Sequence, residues 1–168
     1  MANGTDALEI ALRALDINQG EVACVANAGF YSSTSILAVG ALPLYVDVDW
    51  ESMTMNPVDL DRKITKRTRA IIVTHLYGQM ADMPKIMSIA REHQIPVIED
   101  CAQAHGAKLN QQCAGNWGDL GCFSFYPTKN LGAYGDAGAI TTANPDLAKK
   151  ARRLREYGWG EKYTIELS

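Results

Sequence analysis

Hydrophobic residues recur along this chain with two different spacings, and the two spacings alternate. Residues 5–15 place an apolar residue every three or four positions, which is the spacing of one helix face: Leu8, Ala11, Leu12 and Leu15. Similar patterns, or a proline at a helix-opening position, predict further helices at residues 30–39, from Pro57, at 83–93 and at 145–157. Asn3 or Thr5 is suited to cap the first helix.

Short apolar runs between these helices predict buried strands. The runs lie at residues 22–26, 44–48, 70–74 and 96–98, near 120–125, and at 138–142. Strands that alternate with helices are typical of βαβ units, whose crossovers are right-handed. The sequence therefore predicts an α/β fold with three layers, in which helices flank a mostly parallel sheet. Residues 118–140 depart from the alternation, because they are rich in glycine and poor in charge, and we expect a buried, loop-rich segment there.

The composition excludes several classes of protein. The 168 residues are 47% hydrophobic and 21% charged, as in ordinary globular domains and unlike disordered chains or coiled coils. A net charge of −3 argues against nucleic-acid binding. No apolar run approaches the roughly 20 residues of a membrane span, and the first residues lack a signal-peptide pattern. We therefore expect a cytoplasmic protein that binds neither nucleic acid nor membrane.

The cysteines and histidines do not form a metal-binding pattern. No C-x-x-C pair occurs among Cys24, Cys101, Cys113 and Cys122, and the histidines complete no zinc spacing. Three of the cysteines lie in apolar segments, where a free thiol behaves as a small hydrophobe. We expect reduced core cysteines, no metal site, and structural hydrogen bonds for His75 and His105.

Lys129 is the strongest candidate for chemistry. The sequence contains no motif for dinucleotides, phosphate loops, α/β-hydrolases or zincins. Lys129 is the only lysine between residues 109 and 148, and its neighbours are mainly aromatic or apolar. A lysine in such a setting is suited to Schiff-base chemistry. The alternative is a lysine at a loop edge whose amine reaches into solvent.

Other residues favour a ligand site but also have ordinary structural interpretations. Asp100 follows a predicted strand, at the edge where α/β sheets bind ligands, and could hold a protonated pyridine nitrogen or cap a turn. Gly4 and Thr5 at a helix N-terminus suit a phosphate or a simple cap. Phe30 could stack on a flat cofactor or pack in the core. Ser124 lies five residues before Lys129.

Five stretches, in order, resemble the DegT/StrS group of nucleotide-sugar aminotransferases, which use pyridoxal 5′-phosphate. Among them are Asn-Gly-Thr-Asp-Ala-Leu at residues 3–8 and Ile-Glu-Asp-Cys-Ala-Gln-Ala-His-Gly-Ala at 98–107. The others lie at residues 44–49, 75–83 and 123–140, so that the resemblance covers nearly the whole chain. It implies the large cofactor domain of the type I aminotransferase fold.

The resemblance also implies a role for each candidate residue. Lys129 matches the lysine that holds the cofactor and then moves a proton, and Asp100 matches the acid that pairs with the ring nitrogen. Lys129 argues against the dehydratase branch of the family, which lacks this lysine. The remaining implied cofactor contacts are Gly4, Thr5 and Ser124 for the phosphate, and Gln103 and Phe30 for the ring.

The function implied by the resemblance is amino transfer. The family passes an amino group from glutamate or glutamine to a keto sugar of a nucleotide sugar, in nucleotide-sugar and polysaccharide biosynthesis. We expect a homodimer in the full-length form. The alternative is a non-catalytic α/β remnant or an association module. A flavodoxin-like nucleotide binder would leave the spacing of Ser124 and Lys129 without a role.

Family members are considerably longer than this chain. The resemblance therefore predicts that residues 1–157 form the cofactor domain without its usual N-terminal segment. Residues 158–168 would begin the connection to an absent small C-terminal domain. For such a truncated chain we expect weak cofactor binding, little or no turnover of sugar substrate, and self-association through apolar surface left uncovered.

Overall fold

A computed structural model of the chain describes residues 1–161 and 164–165. Five α-helices occur in these residues, and all five lie where the hydrophobic spacing, or the proline at residue 57, predicted helices. They are α1 (Gly4–Ala14), α2 (Tyr31–Ala38), α3 (Pro57–Lys63), α4 (Met83–His93) and α5 (Pro145–Arg155).

The main sheet contains six strands. They are β1 (Glu21–Val25), β2 (Leu42–Val46), β3 (Thr68–Thr74), β4 (Val97–Asp100), β7 (Leu120–Ser124) and β8 (Gly138–Thr141). Their order across the sheet is β2-β1-β3-β4-β7-β8, and every neighbouring pair is parallel except β7 with β8. The predicted α/β class with a mostly parallel sheet is confirmed.

Two short hairpins lie outside the main sheet. One joins β5 (Lys108–Leu109) to β6 (Gln112–Cys113), and the other joins β9 (Trp159–Glu161) to β10 (Thr164–Ile165). The turn of the first hairpin places Asn110 and Gln111 at φ values of 47° and 64°. Positive φ at both central residues is the requirement of the tightest hairpin turns, and the sequence has no glycine there to reveal it.

The sheet is packed on both faces, which produces the three predicted layers. Alternate residues of β3 point to opposite sides: Ile72 packs in the core beneath α1 and α2, and Ile71 packs in the core beneath α3 and α4. Both side chains are fully buried. The carboxyl ends of the parallel strands therefore form one edge between two layers of helices.

Polar side chains cap the helices where the sequence offers them. The Asn3 side chain accepts a hydrogen bond from the Asp6 N–H at 2.8 Å, so Asn3, and not Thr5, caps α1. Asn56, Asp82 and Asn144 cap α3, α4 and α5 in the same way. Thr5 is consequently left in the first turn of α1, next to Gly4.

The remaining structural expectations have mixed outcomes. All four cysteines are free, and three of them, Cys24, Cys101 and Cys122, are buried. No helix in the described part of the chain is long and apolar enough to cross a membrane. The predicted domain boundary at residue 157 falls two residues after the end of α5. Residues 162–163 and 166–168, part of the predicted connection, lie outside the described residues, so this division stays a prediction.

Candidate active site

A cavity of about 330 Å³ lies at the carboxyl edge of the sheet. This volume is within the range of roughly 300–1,000 Å³ that small-molecule sites occupy. Its walls come from the start of α1, the start of α2, the ends of β4 and β7, and the segment that follows β7. The lining residues that could bind a ligand or take part in a reaction are Gly4, Thr5, Tyr31, Asp100, Ser124 and Lys129.

The N-terminus of α1 reaches the cavity because residue 4 is a glycine. A Cβ atom at Gly4 would lie 2.7 Å from the Cβ of Ser124, which is closer than carbon atoms can approach. The helix start and the end of β7 are therefore in direct contact. The first N–H groups of a helix have no partner within it, and they carry the positive end of the helix dipole. Together with the hydroxyls of Thr5 and Ser124, they make this side of the cavity suitable for an anion.

The segment after β7 folds back and brings Lys129 to the cavity. Two backbone hydrogen bonds close this turn, from Lys129 N–H to the Tyr126 carbonyl and from Ala133 N–H to the Phe125 carbonyl. The Lys129 Nζ atom lies 5.8 Å from the centre of the Tyr31 ring, within the range of a cation–π contact. Lys129 is half-buried, so its amine faces both protein and open space.

Asp100 forms the floor of the cavity at the end of β4. Its Oδ1 atom accepts a hydrogen bond from the Ala102 N–H at 3.1 Å, and its Oδ2 atom accepts one from the Thr74 hydroxyl at 3.4 Å. Burial raises the pKa of Asp100 above its ordinary value of 3.8, although the Ala102 N–H and the charge of Lys129 act in the opposite direction. The Asp100 carboxylate is thus buried, and two hydrogen-bond donors of the described residues contact it.

The neighbouring Glu99 has the opposite environment. Its side chain is fully buried, but its two oxygens accept four hydrogen bonds, from the His75 ring and from the N–H groups of Gly115, Trp117 and Gly118. Although burial acts to raise the pKa of Glu99, the hydrogen bonds from His75, Gly118 and Gly115 outweigh it, and the pKa lies below its ordinary value. Glu99 is therefore a charged structural residue.

His75 has the structural role predicted for it. Its Nδ1 atom accepts a hydrogen bond from the Ala81 N–H at 3.2 Å, so Nε2 carries the proton and donates to Glu99 at 2.9 Å. His75, Glu99 and Cys101 bring possible metal ligands within 4.8 Å of one another. The first two are already hydrogen-bonded, and burial raises the pKa of the Cys101 thiol far above its ordinary value, which keeps it protonated. The His75 and Glu99 side chains are thus hydrogen-bonded to each other, and the Cys101 thiol donates to the Glu99 backbone carbonyl at 3.8 Å.

Three sequence expectations differ from the observed positions. Phe30 does not line the cavity: its side chain is 84% exposed, and the next residue, Tyr31, lines the cavity instead. Gln103 lies in an adjoining hollow shared with Lys129, where its Oε1 atom accepts a hydrogen bond from the Tyr77 N–H at 2.8 Å. The expected hydrogen bonds of His105 are wrong. Neither ring nitrogen has a partner among the described residues, and the ring packs against two phenylalanines.

Sequence reasoning did not identify Tyr31, Thr74 or Glu99. Tyr31 directly follows Phe30 in the sequence. The exact residue at which the helix begins decides which of the two side chains faces the cavity. The role of Thr74 depends on its parallel pairing with Asp100, which a single strand pattern does not reveal. Glu99 could have been recognised as unusual, since a carboxylate inside an apolar strand must be paired.

Residues 1–167 match the profile of the DegT/DnrJ/EryC1/StrS aminotransferase family. A UDP-N-acetyl-3-dehydro-alpha-D-glucosamine 3-aminotransferase of Acidithiobacillus ferrooxidans is 50% identical over 163 residues, which are 96% of this chain and 44% of that protein. A dTDP-3-amino-3,4,6-trideoxy-alpha-D-glucose transaminase of Streptomyces venezuelae is 41% identical over 165 residues, which are 98% of this chain and 44% of that protein.

A solved structure gives the same result for the fold. The crystal structure of S. venezuelae DesV in complex with a ketimine intermediate has a TM-score of 0.96 and 41% sequence identity. The match covers 99% of this chain and 45% of DesV. The chain thus spans just under half the length of the relatives it matches.

The pKa of Asp100 predicts an unusual effect on stability. The folded chain holds the Asp100 proton more tightly than the unfolded chain does, so stability decreases as pH rises from 3.8 through the raised pKa. Asp100→Asn keeps an acceptor for the Ala102 N–H but removes the charge. We expect this ligand-free variant to be more stable than wild type at pH 7, by roughly 0.5–1.5 kcal/mol in urea unfolding.

The matched control is Asp136→Asn, because Asp136 lines the same cavity but is exposed. Its free energy of unfolding should stay within about 0.5 kcal/mol of wild type. A loss of stability in Asp100→Asn at pH 7, or an equal gain in both variants, would contradict the assigned environment of Asp100.

Proposed function

The chain belongs to the DegT/DnrJ/EryC1/StrS aminotransferase family, and from this premise we propose that its cavity binds pyridoxal 5′-phosphate for transfer of an amino group to a nucleotide-linked keto sugar. The observation that carries this proposal is the convergence of three different groups in one cavity. An amine, a buried carboxylate and a helix N-terminus with two hydroxyls all line it.

The residues present fit the three parts of this cofactor. The helix N-terminus at Gly4 and Thr5, with the Ser124 hydroxyl, suits the phosphate. The Asp100 carboxylate suits a protonated ring nitrogen, and a cationic partner would favour its charged form despite burial. Lys129 provides the amine that would form a Schiff base with the aldehyde group of the cofactor. Tyr31 offers the aromatic face that the sequence assigned to Phe30.

The proposed mechanism assigns each side chain a separate task. Pyridoxal 5′-phosphate, when bound, supplies an electron sink for a carbon from which a proton is removed. Asp100 holds the proton on the ring nitrogen, and Lys129 binds the cofactor covalently and then moves a proton as a general base. Gln103, held at its Oε1 atom by the Tyr77 N–H, keeps its amide group beside Lys129.

The substrates in this proposal are a nucleotide sugar and an amino-acid donor. The relatives from A. ferrooxidans and S. venezuelae are named for UDP- and dTDP-linked sugars, which supports a nucleotide-linked acceptor. We propose glutamate or glutamine as the donor, in nucleotide-sugar biosynthesis in the cytoplasm. The Lys129 side chain supports transamination, since an amine is needed both to hold the cofactor and to move the proton.

Covalent binding to Lys129 is the direct test. Wild-type chain incubated with pyridoxal 5′-phosphate should develop a visible absorbance band. After borohydride reduction it should gain the mass of the cofactor less one oxygen atom, because condensation with the amine releases water and reduction adds two hydrogens. Lys129→Ala should lose the absorbance band and the label that peptide mass mapping places at residue 129, because no other amine lines the cavity among the described residues. Lys149→Ala, on the exposed face of α5, should behave as wild type. A missing signal in wild type would favour the non-catalytic alternative.

A second test distinguishes the two candidate aromatic residues. Tyr31→Ala should weaken binding of pyridoxal 5′-phosphate roughly three- to tenfold, because an aromatic contact contributes about 0.5–1.5 kcal/mol. Phe30→Ala should change the affinity less than twofold, since its ring lies outside the cavity. Fluorescence titration measures both affinities. The reverse order would restore Phe30 as the ring contact.

We also propose that the protein acts as a homodimer. Large apolar side chains are exposed around the cavity and the adjoining hollow, and exposed apolar surface of this kind is typical of an interface between proteins. They are Phe30, Tyr31, Tyr77, Tyr126, Leu131 and Tyr134. Tyr134→Asp should raise the self-dissociation constant at least tenfold in sedimentation experiments. Tyr157→Asp, which changes another exposed ring, after α5, should not. A concentration-independent monomer in the wild type would refute the dimer.

A further inference from the structure

Thr74 lies directly behind the candidate ring-binding carboxylate. It is the last residue of β3, and the parallel register pairs it with Asp100 at the end of β4. Its side chain is buried, and the Thr74 Oγ1 atom donates to Asp100 Oδ2 at 3.4 Å. Thr74 is not among the residues that line the cavity, but its hydroxyl contacts the Asp100 carboxylate, through which it can act on a ligand.

The two Asp100 oxygens are held from different parts of the fold. Ala102, in the turn after β4, donates its N–H to Oδ1, and Thr74, on the neighbouring strand, donates to Oδ2. The Asp100 carbonyl accepts the His75 N–H at 3.0 Å, which fixes the backbone at the same level. Because the backbone N–H of Ala102 and the hydroxyl of Thr74 lie on separate elements, the carboxylate cannot rotate without losing one of these hydrogen bonds.

The same hydroxyl also affects the charge of the carboxylate. Burial raises the pKa of Asp100, and the Thr74 hydroxyl is one of the groups that lower it. The described residues around Asp100 provide only one other direct donor, the Ala102 N–H. Removal of one of two donors from a buried carboxylate therefore leaves an oxygen unpaired, which is the costly case for a hydrogen bond.

We propose that Thr74 is a positioning residue, whose hydroxyl keeps the Asp100 carboxylate oriented and ionised for the ring nitrogen of the cofactor. This role rests on the proposed function. It adds a residue outside the cavity to the cofactor site, and it predicts that the effect of Thr74 depends on the chemical structure of the ligand. Only a ligand with a protonated ring nitrogen should respond to the loss of the hydroxyl.

The experiment combines two substitutions with two ligands. Thr74→Val has nearly the same shape and suits a strand, but lacks the hydroxyl. Thr74→Ser retains it. Each variant of the 168-residue chain is titrated with pyridoxal 5′-phosphate and with the analogue in which C–H replaces the ring nitrogen. Melting temperatures and circular dichroism of the ligand-free variants report folding, and Thr74→Ala replaces Thr74→Val if the latter does not fold.

The expected result is selective. Thr74→Val should weaken binding of pyridoxal 5′-phosphate about fivefold, the equivalent of one net hydrogen bond, and leave the affinity for the carbon analogue within twofold. Thr74→Ser should match wild type for both ligands. In an Asp100→Asn background the effect of Thr74→Val should disappear, as a double-mutant cycle requires for residues acting through one contact.

Other outcomes overturn the inference. Equal weakening of both ligands would show that Thr74 only shapes the cavity. An unchanged affinity for pyridoxal 5′-phosphate in Thr74→Val would show that the hydroxyl has no role, while the proposed function would stand. Absence of pyridoxal 5′-phosphate binding in the wild type would refute the proposed function and this role together.

Discussion

The four hydrogen bonds accepted by the buried Glu99 carboxylate hold β4 in place between its two neighbouring strands. One comes from His75 after β3, and three come from backbone N–H groups in the loop that leads into β7. Three consecutive strands of the sheet are therefore joined through one side chain. A buried charge with every oxygen satisfied favours one arrangement of its neighbours, because any other arrangement leaves the charge unpaired. The backbone of Asp100, the next residue of β4, is therefore held in a fixed position as well.

Glu99 and Asp100 show how one strand can supply both structure and chemistry. Successive residues of a strand point to opposite faces, so the two carboxylates lie back to back in different surroundings. Hydrogen bonds lower the pKa of Glu99 below its ordinary value, whereas burial raises the pKa of Asp100. One charge is already satisfied by the protein, and the other is left for a ligand. A buried carboxylate with only two hydrogen-bond donors costs stability in the empty protein, and such a cost is a common feature of functional sites.

Much of the fold follows from local patterns, and the deviations arise where long-range pairing decides. The helices follow from apolar spacing, and the strands from short apolar runs, although β2 begins two residues before the predicted run. Nothing in the four residues of β8 encodes that the strand runs antiparallel to β7, because direction depends on the path of the preceding segment. The site residues at strand ends could be predicted, since the edge of a parallel sheet gathers ligands. Tyr31 and Thr74 could not, because helix phase and strand register decide their positions.

The contact between the start of α1 and the end of β7 also bears on how the chain folds. Cys122 donates to the Ala7 carbonyl across a sequence separation of 115 residues, close to the point where Gly4 meets Ser124. Contacts between residues so far apart in sequence slow folding, because a large loop must close before they form. A chain in which this contact has not formed lacks the wall that Gly4, Thr5 and Ser124 contribute and therefore has no complete cavity. A ligand of the cavity consequently binds only the completely folded chain. Its binding shifts the folding equilibrium towards that state, so the cofactor would increase the fraction of correctly folded chains.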